Sequence, residues 1–181
     1  MNFEHAISFE VPIAAPPSVA IAFVRDVTRS LAYARFLRDL RVEPGPPIVV
    51  EAVLPINAAL FGQRDLPFRS VLTPTDGGAR LTGLDVPSTG PGWASVSGDA
   101  VVRSGDGGSV VGYDLIISVF VALPEAERWG GRALTRMIEY TAETVLARLT
   151  AAFPEAVARA AREAEQADLD ARTLATTAAG R

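Results

Sequence analysis

Cysteine and lysine are both missing from this 181-residue chain, and histidine occurs once. Without cysteine there is no disulfide, no thiolate nucleophile and no zinc site built on sulfur. Without lysine there is no Schiff-base nucleophile and no P-loop lysine to hold a phosphate. A lone imidazole, His5, excludes any site that needs two, such as the paired histidines of a zinc protease helix. No metal and no cofactor is expected. The 17 basic residues are all arginine, against 21 acidic ones, for a net charge of −4. They form no basic block, so no nucleic-acid partner is expected. Long hydrophobic runs are scarce as well. The longest, LIISVFVAL at 115–123, is too short to span a bilayer, so no transmembrane segment is expected. The opening residues MNFEHAISF show no basic region followed by an apolar core, so no signal peptide is read and a cytoplasmic location is expected.

What is present is enough apolar material for a sizeable core. The chain is 49% hydrophobic with a mean hydropathy of +0.22, and its length suits one domain, or one domain with an appendage. In FEVPIAAPPSVAIAFVRD, residues 9–26, a strand stops and a helix begins at once. Residues 3–11 alternate, with Phe3, His5, Ile7, Phe9 and Val11 on one face and Glu4, Ala6, Ser8 and Glu10 on the other. Such a period of two marks a half-buried strand. Pro16-Pro17 cannot feed a strand ladder, but both suit the first turn of a helix, where the missing N–H costs nothing. A helix over 17–25 is predicted, then a second short helix over 29–37 capped near Asp26 or Thr28.

Strands follow at 39–43 and 48–54, the latter bounded by Pro55. Residues 66–73 and 79–86 flank PTDGG, and residues 93–103 and 109–123 flank SGDGG, two hairpin signals. From there the period becomes 3.6. Leu134, Ile138, Thr141, Val145, Leu149 and Ala152 form one stripe of a long helix over 132–153. Pro154 is expected to break it, leaving a more exposed helical segment over 154–172 and a frayed end.

This order, a strand, two short helices, about six antiparallel strands and a long helix, resembles the helix-grip fold of the START / Bet v 1-like superfamily, which includes polyketide cyclases and lipid-transfer proteins. The likeness is clearest over FEVPIAAPPSVAIAFVRD and covers about residues 3–153. It implies an α+β fold in which a curved antiparallel sheet of six to seven strands wraps the long C-terminal helix. It divides the chain into a ligand-binding domain at 1–153 and a helical extension at 154–181. It also implies an internal cavity for a small apolar molecule such as a lipid or polyketide. His5, Phe9, Tyr113, Ile117, Ile138 and Thr141 are expected to line that cavity.

Three functions remain open at this point. The first is binding, transport or sensing of the apolar ligand. The second is cyclase or dehydratase chemistry, for which His5, Tyr113 and Asp85 are the candidate acid/base groups. Each has a plainer reading: a strand-end histidine, a wall tyrosine and a solvated aspartate. The third is a protein-interaction module. Strand 115–123 is apolar on both faces, with Ile116 and Phe120 opposite Leu115, Ile117 and Val119. Either a partner protein or a second copy covers the Ile116/Phe120 face, or the 154–172 segment does. Trp129 beside Gly130-Gly131 either gates the cavity mouth or staples a loop.

Overall fold

A computed structural model of the chain describes residues 2–58, 62–86, 92–121 and 131–179, with the backbone alone at 57–58, 62–64, 132–135, 137–138 and 168–179. Trp129 and Gly130 lie outside the described residues. The elements in chain order are β1 (Asn2–Ile13), α1 (Pro17–Arg25), α2 (Val27–Ser30), β2 (Arg38–Glu43), β3 (Ile48–Ala58), β4 (Gly62–Thr75), β5 (Gly78–Gly83), β6 (Gly92–Gly105), β7 (Gly108–Val121) and α3 (Gly131–Ala179).

The seven strands form one open sheet in the order β1-β7-β6-β5-β4-β3-β2. All neighbours in that order run antiparallel. A single parallel bridge, Phe68 to Ala94, forms where β5 has ended at Gly83 and its two neighbours close up. Asp76-Gly77 and Asp106-Gly107 make the two tight hairpins, the second with Gly107 at φ +82°, where glycine has no Cβ to clash. The strand expected to stop at Pro55 runs on to Ala58. Pro55 is tolerated because β2 pairs with β3 only up to Val53, so its missing N–H faces an open edge.

The alternation read in β1 holds. Ile7, Val11 and Ile13 are buried, and Glu4, Ala6, Ser8 and Glu10 are not. In β7, Val111, Tyr113, Leu115, Ile117 and Val119 are all buried on the same concave face. Pro16 and Pro17 open α1 as expected, and Asp26 ends it. The same Asp26 then caps α2, its carboxylate accepting from the Arg29 N–H at 3.0 Å. The second helix is shorter than expected. After Ser30 the backbone makes isolated turns, with the Ala34 N–H donating to Leu31 and the Leu37 N–H to Ala34.

Helix α3 lies on the concave face, where Leu146, Leu149, Phe153 and Val157 join the strand residues in one core. It passes through Pro154 without ending. A proline inside a helix costs about 3 kcal/mol, but each buried Val, Leu or Phe returns about 1.5–3 kcal/mol. Leu149 and Phe153 lie before the proline, and Ala156, Val157, Ala160 and Ala161 lie after it; all are buried. Packing on both sides therefore outweighs the lost hydrogen bond. The residues after 153 also hold the β1–α1 turn and the segment after α2. Glu165 accepts from the Ala14 N–H at 2.5 Å. The Tyr33 hydroxyl donates to Glu163, and the Arg159 guanidinium sits 4.3 Å over the Tyr33 ring. Among the described residues no helix is long and apolar enough to cross a membrane.

On the convex face Ile116 is 45% exposed and Phe120 37%. Trp93 stacks on Phe120 with ring centroids 5.7 Å apart. The segment after 153 packs on the other face and leaves this patch uncovered.

Candidate functional site

The concave face narrows to a small chamber of about 50 Å³ under the two short helices. Val27, Ser30 and Leu31 roof it, Leu72, Leu81 and Leu115 of the sheet form its wall, and Phe153 and Val157 of α3 close the side. Tyr113 projects into this space from β7. Its position follows from the β7 alternation, which turns every odd residue from Val111 to Val119 inward.

Tyr113 is the chemical anomaly of the chamber. Its hydroxyl is buried, and no hydrogen-bond partner lies within reach of it among the described residues. Other buried hydroxyls are served. Ser70 donates to the Val96 carbonyl at 2.9 Å and accepts from the Val96 N–H at 3.3 Å. Ser109 donates to the Ala15 carbonyl at 2.7 Å. An unpaired buried hydroxyl costs about 1–3 kcal/mol, and most buried polar groups avoid that cost by pairing. Burial also pushes the Tyr113 phenol above its usual pKa. The group is therefore neutral at physiological pH and acts as a hydrogen-bond donor or acceptor, not as a base.

Of the six residues expected to line a cavity, Tyr113 lines this chamber. Phe9 and Tyr113 meet directly, their rings stacked at 4.8 Å. Phe9 is half-buried and braces the tyrosine from β1. His5 and Ile117 are register partners on the same two strands, four residues further along, about 13 Å from the stack. His5 is half-buried and Ile117 fully buried. Thr141 is half-buried on α3, twelve residues and about 18 Å before Phe153. The side chain of Ile138 lies outside the described ones. Asp85 is exposed beyond the end of β5. Of the residues that line the chamber only Tyr113 carried a site reading from sequence; Leu31, Phe153 and Val157 are among those that did not. Phe153 continues the stripe through Leu149 one turn on, a signal that Pro154 conceals.

The open seven-stranded sheet, the long helix against its concave face and the two short helices after β1 define the helix-grip fold, the class the START / Bet v 1-like superfamily shares. The chain belongs to the family described as "Protein of unknown function (DUF3809)", whose model matches residues 8–151. Among solved structures, the KanY protein is similar with a TM-score of 0.52 and 14% identity, covering 88% of this chain and 99% of KanY. TTHA0849 from Thermus thermophilus is similar with a TM-score of 0.46 and 15% identity, covering 87% of this chain and 99% of that one. Human StAR-related lipid transfer protein 5 gives 0.43 and 11%, over 87% of this chain and 74% of that one. At 14% identity the likeness to KanY is one of fold alone. No curated protein matches the sequence.

Proposed function

We propose that the protein binds a small, mostly apolar molecule carrying one hydrogen-bonding group, held against the concave face with that group on the Tyr113 hydroxyl. The observation that carries this reading is the buried, unpartnered hydroxyl of Tyr113, a residue that lines a mostly apolar chamber. Ligand sites are mostly apolar with a few convergent polar groups, which is the composition found here. The helix-grip fold adds an analogy and no more, since folds host unrelated functions. As it stands the chamber, at about 50 Å³, has room for one or two water-sized groups. Typical ligand sites measure about 300–1,000 Å³. A larger occupant would enter by lifting α2 and Leu31. This is the cheap side to open, since α2 is four residues long and joins no strand ladder.

Binding is favoured over cyclase or dehydratase chemistry by geometry. Proton transfer needs an acid and a base within hydrogen-bond reach of one reacting centre. His5 is about 13 Å along β1 from the stack, and Asp85 is exposed. The exposed Ile116 and Phe120 favour a second reading, in which another copy of the chain covers the convex face. Sedimentation of the wild type and of Phe120→Glu tests it: a dimer that the substitution dissolves supports it, and a wild-type monomer ends it.

The chamber reading is tested by NMR titration with 2-naphthol and naphthalene, which share an apolar frame and differ by one hydroxyl. In the wild type 2-naphthol is expected to bind about 5- to 10-fold tighter, the worth of one hydrogen bond, with shifts at Tyr113 and Leu115. In Tyr113→Phe the preference disappears. Equal affinities in the wild type would remove Tyr113 as the anchor.

A further inference from the structure

A second cavity opens outward at the β1–α1 turn. At about 210 Å³ it is about four times the size of the Tyr113 chamber. We infer that this cleft binds a small monocarboxylic acid, its apolar tail on an alanine floor and its carboxylate on Arg29. The floor is Ala14 and Ala15 of the turn with Ala161 and Ala164 of α3. Ala161 and Ala164 sit three apart on one helix face, so both methyl groups point at the same gap. Four side chains of minimal size, from two elements, leave a space that larger ones would fill to the usual interior density. The ring of Phe23 walls the inner end.

The polar groups stand at the rim, and they are unequal. Glu165 is already engaged, accepting from the Ala14 N–H at 2.5 Å, which fixes the turn. The Arg29 guanidinium makes one long contact, to the Ala164 carbonyl at 3.5 Å. Among the described residues no carboxylate lies within 4.0 Å of it, as for Arg35, Arg41, Arg148 and Arg162 and unlike Arg38, Arg69, Arg80, Arg103 and Arg159; of these arginines only Arg29 lines the cleft. A guanidinium has five donors in a planar fork that matches a carboxylate edge to edge. The neighbouring Glu165 charge disfavours a second negative charge on the ligand. Together these select a monoanion over a phosphate dianion. The volume holds about seven water-sized groups, which suits a six-carbon acid with its head at the rim.

This site is independent of the Tyr113 chamber, and its test keeps the two apart. The full-length protein is titrated with hexanoate, hexanol and hexylammonium, followed by amide NMR. Hexanoate is expected to saturate shifts at Ala14, Ala15, Ala161 and Ala164 and to bind about tenfold tighter than hexanol, as a charge-assisted bidentate contact predicts. Hexylammonium is expected to bind most weakly. Arg29→Gln should remove the preference for the acid, and Ala164→Leu should fill the cleft and abolish binding with the far-UV spectrum unchanged. Tyr113→Phe should leave hexanoate affinity as it was. Equal binding of hexanol and hexanoate, an unchanged affinity in Arg29→Gln, or shifts confined to the Tyr113 chamber would each overturn the assignment. The ligand comparison on the wild type decides the matter even where a variant fails to fold.

Discussion

The ring of Phe9 lies flat on the ring of Tyr113, 4.8 Å between centroids and 11° from parallel, at a directly paired position of β1 and β7. Phe153 of α3 meets Phe9 edge-on at 5.7 Å and Phe36 at 5.8 Å. Three aromatic rings thus back the phenol, Phe9 directly and Phe153 and Phe36 behind it, while none of them offers its hydroxyl a partner.

Removing that hydroxyl is therefore expected to cost nothing in the unliganded protein. Tyr113→Phe keeps the stack and deletes the unpaired group, so its urea unfolding free energy should rise by about 1 kcal/mol. A loss of similar size would mean that the hydroxyl has a partner in the folded state.

The same group sets an alkaline limit. Its folded pKa is raised by burial, above the unfolded value of about 10. Below that value both states hold the proton and stability is complete. As pH rises past it, the unfolded chain loses the proton while the folded chain keeps it, so stability falls by up to about 1.4 kcal/mol per pH unit. Denaturant midpoints measured across this range should decline in the wild type, and decline less in Tyr113→Phe. Parallel curves would remove Tyr113 as the cause.

Phe153→Ala strips the aromatic cluster of its α3 member. A buried phenylalanine replaced by alanine typically costs about 3–5 kcal/mol. Loss near the top of that range is expected, because the helix at Pro154 relies on packing to either side. A midpoint shift worth under about 1 kcal/mol would show that the neighbours collapse into the gap.

Ending the chain after Phe153 should abolish cooperative unfolding. The cut removes Val157, Ala160 and Ala161 from the core and frees Tyr33 and Ala14 from Glu163 and Glu165. Circular dichroism melts decide it. A shortened chain that melts sharply near the full-length temperature would make 1–153 a self-sufficient domain.

Gly98 carries φ +141° opposite Leu115, and a Cβ there would collide with the Asp114 carbonyl. Gly98→Ala combines backbone strain of about 1–3 kcal/mol with a forced local separation of β6 from β7. Its melting temperature should fall by more than that of Gly107→Ala, because a Cβ at Gly107 meets nothing within 4 Å.

The first strand was readable because it carries its own alternation, and the hairpins because Asp-Gly pairs mark them. Both signals are local. The curved antiparallel sheet on a long helix followed from the resemblance to the helix-grip fold, but its strand order did not, and the strand lengths past Pro55 depend on where β2 stops, which no local pattern records. The candidate site was harder to read. Phe9 and Tyr113 were named separately from two alternating strands, and their stacking is a matter of register. Phe153 and Val157 were hidden by Pro154, whose local penalty argues for a break that tertiary packing overrides. The cleft at Arg29 joins the β1–α1 turn to a stretch of α3 far away in sequence, so only the folded chain brings its alanines together.

The open sheet leaves two borders, and each is defended differently. β2 is six residues long, bulged between Arg38 and Arg41, and bears exposed Arg38, Asp39, Arg41 and Glu43. Asp39, at φ +53°, turns the backbone out of line for a foreign strand. At the other border α3 packs along β1, and Glu165 takes the N–H just past its end. A neighbouring molecule seeking to extend the ladder meets mismatched charge and a crooked template on one side and a helix on the other. The price of leaving a sheet unclosed, a tendency to polymerise edge to edge, is thereby largely avoided.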